Sequence, residues 1–334
     1  MKKNFWTIVK LLFFLGLGGF LVWLSVKDFS EEQKRDFFSA LKIADYKWIV
    51  LSVVLGILSH VSRALRWIML LEPVGYKPGK ANTFFAVMVG YLTNFVFLRL
   101  GEVVRCTVLA KYEKIPFPLA FGTVIAERAF DLLCLLLIFL ITLFSQFDSI
   151  YALVNEHILN PVANIINRAA DHTAFLWGGI LFLILGVAFT ILFRKKIRTF
   201  LGSKLGKIIT GFWEGLVSIR KMKSPGLFLA HTVFIWTMYY VMLHVCFFSF
   251  EETSGINIGQ GMAVLIMGAL GIMLTQGGIG AYHLLVSKTL TSLAMISVPI
   301  AGAFCWIVWS SQFVTIVITG VVSLILLPIF NKDK

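Results

Sequence analysis

Apolar runs long enough to cross a bilayer recur along the whole of this chain, separated by short charged connections. A helix needs about 20 predominantly apolar residues to traverse the hydrocarbon core, so each run is a candidate span. Composition agrees. Of 334 residues, 58% are hydrophobic and 14% are charged, where a soluble domain carries roughly a quarter charged residues. Mean hydropathy is +0.87. Such a chain has too little polar surface to cover itself in water. The expected fold is an all-α polytopic membrane protein of about six to eight transmembrane helices, a single integral membrane domain over residues 1–334 with no independent soluble domain.

The spans follow in order. Lys2, Lys3 and Lys10 precede an apolar stretch ending at Val26. No small-x-small cleavage site follows, so residues 5–26 are expected as an uncleaved first span with a cytoplasmic N-terminus. Residues 1–45 thus comprise this span and a charged connection. The first half of the core, 46–145, holds a span at 47–71, an apolar run at 81–98, a charged helix from Gly101 to Lys114 and a long span at 117–145. The second half, 173–330, holds spans at 173–193, 226–250 and 299–328, with apolar and polar helices at 259–275 and 281–297.

Residues 194–223 carry nine Lys or Arg against one acid, Glu214, and their apolar residues recur at helical spacing. That pattern predicts a basic amphipathic helix on the cytoplasmic leaflet. Only if 81–98 enters and returns to the same side does this segment land in the cytoplasm, so 81–98 is expected as a re-entrant helix. The break at Gln276-Gly277-Gly278-Ile279-Gly280 marks a second such pair, although two full crossings there also leave the C-terminus cytoplasmic. The protein is expected in the cell (inner) membrane with both termini cytoplasmic. Paired broken helices in two halves suggest an inverted repeat, an arrangement by which transporters build a midplane site.

Ionisable residues inside apolar spans carry the functional signal, because each costs about 2.5–3.5 kcal/mol at mid-bilayer and therefore faces a partner or a wet cavity. Three groups stand out: His60, Arg63 and Arg66; then Arg99, Glu102 and Arg105; then Glu127, Arg128 and Asp131. The first two triplets are spaced i, i+3, i+6, on one helical face. Structural roles compete: Arg66 snorkelling to the interface, Glu102 capping a helix, and Glu127 or Asp131 in an ion pair between helices. Five arginines against three acids leave a positive balance, and arginine forks in a cavity suit a phosphate group.

Other chemistries are excluded by the residues. The formal net charge of +13 sits in connections between spans, where it reports topology and anionic lipid headgroups rather than nucleic acid. Cys106, Cys134, Cys246 and Cys305 have no CxxC spacing, so neither disulfides nor a metal site is indicated. No Walker A, HExxH or GxSxG sequence occurs; no cofactor is expected, and no enzyme activity.

Four segments carry a resemblance: Ser62-Arg63-Ala64-Leu65-Arg66-Trp67, Arg99-Leu100-Gly101-Glu102-Val103-Val104-Arg105, Ala126-Glu127-Arg128-Ala129-Phe130-Asp131, and Gly277-Gly278-Ile279-Gly280. With them the chain resembles, over roughly 45–325, the flippase-like family that includes the membrane part of lysylphosphatidylglycerol synthases (UPF0104). The resemblance implies a helical domain with re-entrant elements that moves lipids between leaflets. Two departures matter. Gln276 and His283 stand where the family pattern has proline and glutamate, and the soluble synthase domain is absent from this sequence.

The expected function is therefore a flippase-like transporter of an anionic phospholipid or polyprenyl-phosphate-linked lipid. Arg63, Arg66, Arg99, Arg105 and Arg128 would hold phosphate; Glu102, Glu127 and Asp131 would orient them; Gly277, Gly278 and Gly280 would admit the headgroup or hinge the loop. The alternative is a non-transporting lipid-binding partner of a separately encoded synthase or glycosyltransferase. A homo-oligomer stays open under either reading.

Overall fold

The computed structural model describes residues 29–97, 100–145 and 222–332. The expected spans at 5–26 and 173–193, Arg99 and all but the last two residues of the basic helix expected at 194–223 lie outside these residues. Nine helices occur among those described. Helix α1 is Glu31–Ile43, α2 Tyr46–Leu71, α3 Lys80–Val96, α4 Gly101–Tyr112 and α5 Phe117–Ser145. Helix α6 is Pro225–Phe247, α7 Ile258–Leu274, α8 Ala281–Leu293 and α9 Val298–Phe330.

Local chemistry sets the boundaries. Ser30 and Gln33 form a capping box before α1, and Asn257 and Gln260 form another before α7, each satisfying two backbone donors that a helix start leaves open. Proline at the first turn starts α6 and α9, where the absent N–H costs nothing. Helix α2 stops at Glu72-Pro73 in a 3-10 turn closed by Gly75 at φ 91°, a left-handed conformation that glycine adopts without strain. Helices α2, α6 and α9 are each long and apolar enough to cross a membrane. Helix α5, at 29 residues, is as long but carries Glu127, Arg128 and Asp131.

Contacts at the helix ends define the topology. At one end of the bundle, the Asp45 amide donates to Ser249 O (3.0 Å), Ser297 Oγ donates to Glu252 (2.8 Å) and Gln260 Nε2 donates to Leu293 O (2.8 Å). At the opposite end, Asn82 donates to Asn331 (2.8 Å) and to Glu113 (2.5 Å). Helix α2 therefore runs from the first end to the second. Helices α3 and α4 leave the second end and return to it, and α5 departs from there. Helix α6 climbs back to the first end, α7 and α8 form a hairpin opening on that end, and α9 descends. The two halves repeat one pattern, a long helix, a hairpin and a long helix, with opposite orientation.

The hairpins turn back where their tips meet. Gln276 Nε2 donates to Phe95 O (3.0 Å), and Trp309 Nε1 donates to Gly277 O (2.8 Å). The two hairpins thus meet tip to tip, inside the bundle they share. The return helix of the second hairpin is shorter than the expected 281–297: α8 ends at Leu293, and Met295 takes a left-handed φ of 55° before α9 begins. In the first hairpin, α3 and α4 approach so closely that a Cβ on Gly101 would collide with the Gly90 carbonyl. Asn94 Oδ1 accepts from the Gly101 amide (2.8 Å), satisfying a helix-start donor that lipid could not.

An apolar core forms around each hairpin, with residues from both halves. Trp67, Leu71, Met88, Cys106, Leu109 and Phe228 pack together around the first hairpin. Phe247, Val286, Leu290, Phe304 and Cys305 pack around the second. Large apolar side chains on the outer faces of α5 and α9, among them Leu137, Phe144, Ile318 and Ile325, stay exposed, as a bilayer rather than water allows.

Candidate functional site

Seven of the nine residues in the expected charged triplets converge on one network; His60 is buried outside it without a hydrogen-bond partner, and Arg99 lies beyond the described residues. The i, i+3 spacing of Arg63 and Arg66 on α2 presents both guanidinium groups to α5, where Glu127 and Asp131, one turn apart, answer them. Arg63 Nη1 donates to Glu127 Oε1 and Asp131 Oδ2, both at 2.7 Å. Arg66 Nη2 donates to Asp131 Oδ1 (2.7 Å) and Glu127 Oε1 (3.3 Å). From the first hairpin, Arg105 Nη2 on α4 donates to Glu127 Oε2 (2.9 Å). Arg128 pairs with Glu102 of α4 (3.1 Å) and more distantly with Asp131 (3.6 Å).

Polar and aromatic neighbours complete the shell. Tyr239 Oη on α6 accepts from Arg63 (2.9 Å) and Thr232 Oγ1 from Arg66 (3.2 Å). The Arg105 guanidinium lies 4.6 Å from the centre of the Trp67 ring, within the range of a cation–π attraction. Trp67 Nε1 in turn donates to Thr123 (2.9 Å). Sequence alone did not single out Tyr239, Thr232 or Trp67 for the site. The first two are ordinary residues of an apolar helix, and only the tertiary fold turns them toward α2.

Burial grades across the network. The Arg66 and Glu127 side chains are 0% exposed, Glu102 is 21% and Arg128 is 39% exposed. Arg66 does not snorkel to an interface; it is held inside by Asp131. Glu102 pairs across helices with Arg128 rather than along its own helix with Arg105. The inner members form the structural ion pairs weighed against a binding role: removing one partner of such a pair costs about 3–5 kcal/mol, because the other charge is left uncompensated. They tie α2, α4, α5 and α6 together.

The network is nevertheless incomplete. Four guanidinium groups meet three carboxylates among the described residues, one positive charge in surplus. Arg105 Nη1 and Nε and Glu102 Oε2 are buried without a hydrogen-bond partner, and such atoms are few in folded proteins. The Nε atoms of Arg63, Arg66 and Arg128 are unpartnered too, and the network reaches the surface at its rim, where Arg128 is half-exposed. Chemically, this rim can take up an anion with donor-accepting oxygens.

The glycines build the tip of the second hairpin. Gly277, Gly278 and Gly280 have φ of 62°, 78° and 77°, which an L side chain adopts only with strain. Gly277 packs against the Phe95 ring, where a Cβ would clash, so it forms the junction of the hairpin tips. Among the described residues no three of His, Cys, Asp and Glu gather as a metal site. A lateral apolar cavity of about 980 Å³ lies between α1, α2 and α9, lined by Phe37, Tyr46, Ile57, Trp306 and Val314 among others; none of the network's residues lines it.

Curated relatives share short segments with this chain. A UPF0104 membrane protein of Methanocaldococcus jannaschii is 34% identical over 88 residues, 25% of this chain and 26% of that protein. A UPF0104 membrane protein of Methanothermobacter thermautotrophicus is 34% identical over 95 residues, 28% of each. The glycosyltransferase AglD of Haloferax volcanii is 30% identical over 99 residues, 29% of this chain and 16% of that protein. The matched segments span little more than a quarter of these relatives at most. No solved structure matches. The family model described as the lysylphosphatidylglycerol synthase TM region matches residues 7–328, and the chain belongs to that family.

Proposed function

We propose that this protein moves an anionic phospholipid or a polyprenyl-phosphate-linked lipid between leaflets of the cell membrane, with both termini in the cytoplasm. The observation that carries the reading is a guanidinium surplus in a network that is buried at Arg105 and half-exposed at Arg128. A lipid phosphate offers the singly bonded oxygens that planar guanidinium donors fit, while its tails stay in the bilayer. Glu102 holds Arg128 in the lipid-free state and gives way to phosphate. On this reading the opposed hairpins are the broken helices around which alternating access to a fixed site turns. Arg99 belongs to this site by its place in the motif.

A second reading is a lipid-binding partner that presents its ligand to a separate glycosyltransferase or synthase without transporting it. The segment shared with a glycosyltransferase favours it. Lipid movement separates the two. Purified protein in liposomes is tested with headgroup-labelled anionic and zwitterionic lipids, with Arg105→Ala as control. Transport predicts movement of the anionic lipid that the control loses. A folded protein that binds the anionic lipid and moves none supports the partner reading.

A further inference from the structure

The second hairpin holds a histidine that the ionic network does not use. His283, in the first turn of α8, is 2% exposed, and neither ring nitrogen has a hydrogen-bond partner. Its ring centre lies 4.2 Å from Trp306 and 5.2 Å from Trp309, both on α9. An unpaired buried polar group costs about 1–3 kcal/mol, so a residue kept in this state calls for a role. Like Glu102 in the other hairpin, His283 lies in the first turn of the return helix.

Among the described residues, few titratable groups surround His283. Helices α7 and α9 and the turn at Gln276–Gly278 pack against α8. Helix α7 and the turn carry no titratable side chain, and α9 carries Cys305 alone. Helix α8 itself adds Tyr282 and Lys288. Of these, only histidine changes charge unaided between about pH 5 and 8. His60 on α2 is also buried with both nitrogens unpartnered, yet Arg63 one turn away opposes a second positive charge there.

A chain of contacts links His283 to the place where the two halves meet. Trp309 touches the His283 ring and donates its indole N–H to Gly277 O. Gly277 packs on Phe95, and Gln276 donates to the Phe95 carbonyl. We infer that His283 is a proton-binding site that couples proton uptake to separation of the hairpin tips. In the closed junction an imidazolium meets indole faces but no acceptor for its two N–H groups. Parting the tips releases the Gly277 carbonyl and admits water, so a proton from the aqueous phase adds to the free ring nitrogen. The protonated form then favours the parted state, and by linkage the parted state favours the proton. This goes beyond lipid recognition and stands whether or not the arginines hold phosphate.

Two readouts on the full chain in lipid nanodiscs test it. Spin labels at the exposed positions Leu100 and Met273, after replacing each, report the distance between hairpin tips. As pH falls from about 8 to 5, the ratio of parted to closed distances rises by up to about tenfold per pH unit, the limit for one proton. His283→Gln abolishes that response and His60→Gln keeps it. Tryptophan emission, which an adjacent imidazolium quenches, falls over the same range in wild type and not in His283→Gln. Should His283→Gln fail to fold, the wild-type response decides. Tip distances independent of pH, or a response that survives in His283→Gln, overturn the proposal. Neither readout needs lipid movement, so its failure is distinct from failure of the transport reading.

Discussion

Arg105 on the first hairpin donates to Glu127 on α5 at 2.9 Å, while the other oxygen of the same carboxylate takes Arg63 at 2.7 Å. One fully buried glutamate thus fastens the hairpin to both long helices of its half. The pairing places structural and binding duties on adjoining residues: the inside of the network holds the fold, and its rim is free to exchange partners.

Substitution separates the two. Glu127→Gln leaves three guanidinium groups short of a charge partner and is predicted to cost about 3–5 kcal/mol. The check is thermal unfolding in detergent, where the variant unfolds at markedly lower temperature than wild type. A wild-type unfolding temperature would show that the inner pairs do not hold the bundle together.

Glu102→Gln is predicted to behave differently. Its partner Arg128 is 39% exposed, and exposed pairs contribute about 0–1 kcal/mol. Stability should stay near wild type while Arg128 is freed for phosphate. The amount of anionic lipid that copurifies, measured by mass spectrometry, should rise relative to wild type. An unchanged or lower amount contradicts the exchange of carboxylate for phosphate.

Gly101→Ala tests the hairpin crossing. The added methyl meets the Gly90 carbonyl and the Asn94 side chain, and overpacking of this kind costs about 1–3 kcal/mol. Less monodisperse protein on size-exclusion chromatography is expected, whereas Gly122→Ala, with open space around its Cβ position, should elute as wild type.

Much of this was readable from the residues. Apolar run lengths placed α2, α5, α6 and α9 within a few residues, because a bilayer imposes its thickness on every span. Helical spacing put Arg63 beside Arg66, and the cost of intramembrane charge marked Glu127 and Asp131 for partners. Which partner each would take was not readable. Glu127 and Arg63 are 64 positions apart, and only the packing of α2 on α5 brings them together. The glycines illustrate the same limit: a break was legible in Gly277-Gly278-Ile279-Gly280, but the Phe95 ring lying on it comes from the other half of the molecule.

The most direct test of the central claim is the rate of movement of a headgroup-labelled anionic lipid in liposomes holding wild-type or Arg128→Gln protein. Arg128 lies at the rim, so the variant should fold and unfold as wild type does. The account predicts that it moves anionic lipid at least about tenfold more slowly, the loss that corresponds to one charge-assisted interaction of about 1.4 kcal/mol in the rate-limiting state. A folded Arg128→Gln protein that moves the lipid at the wild-type rate would contradict it.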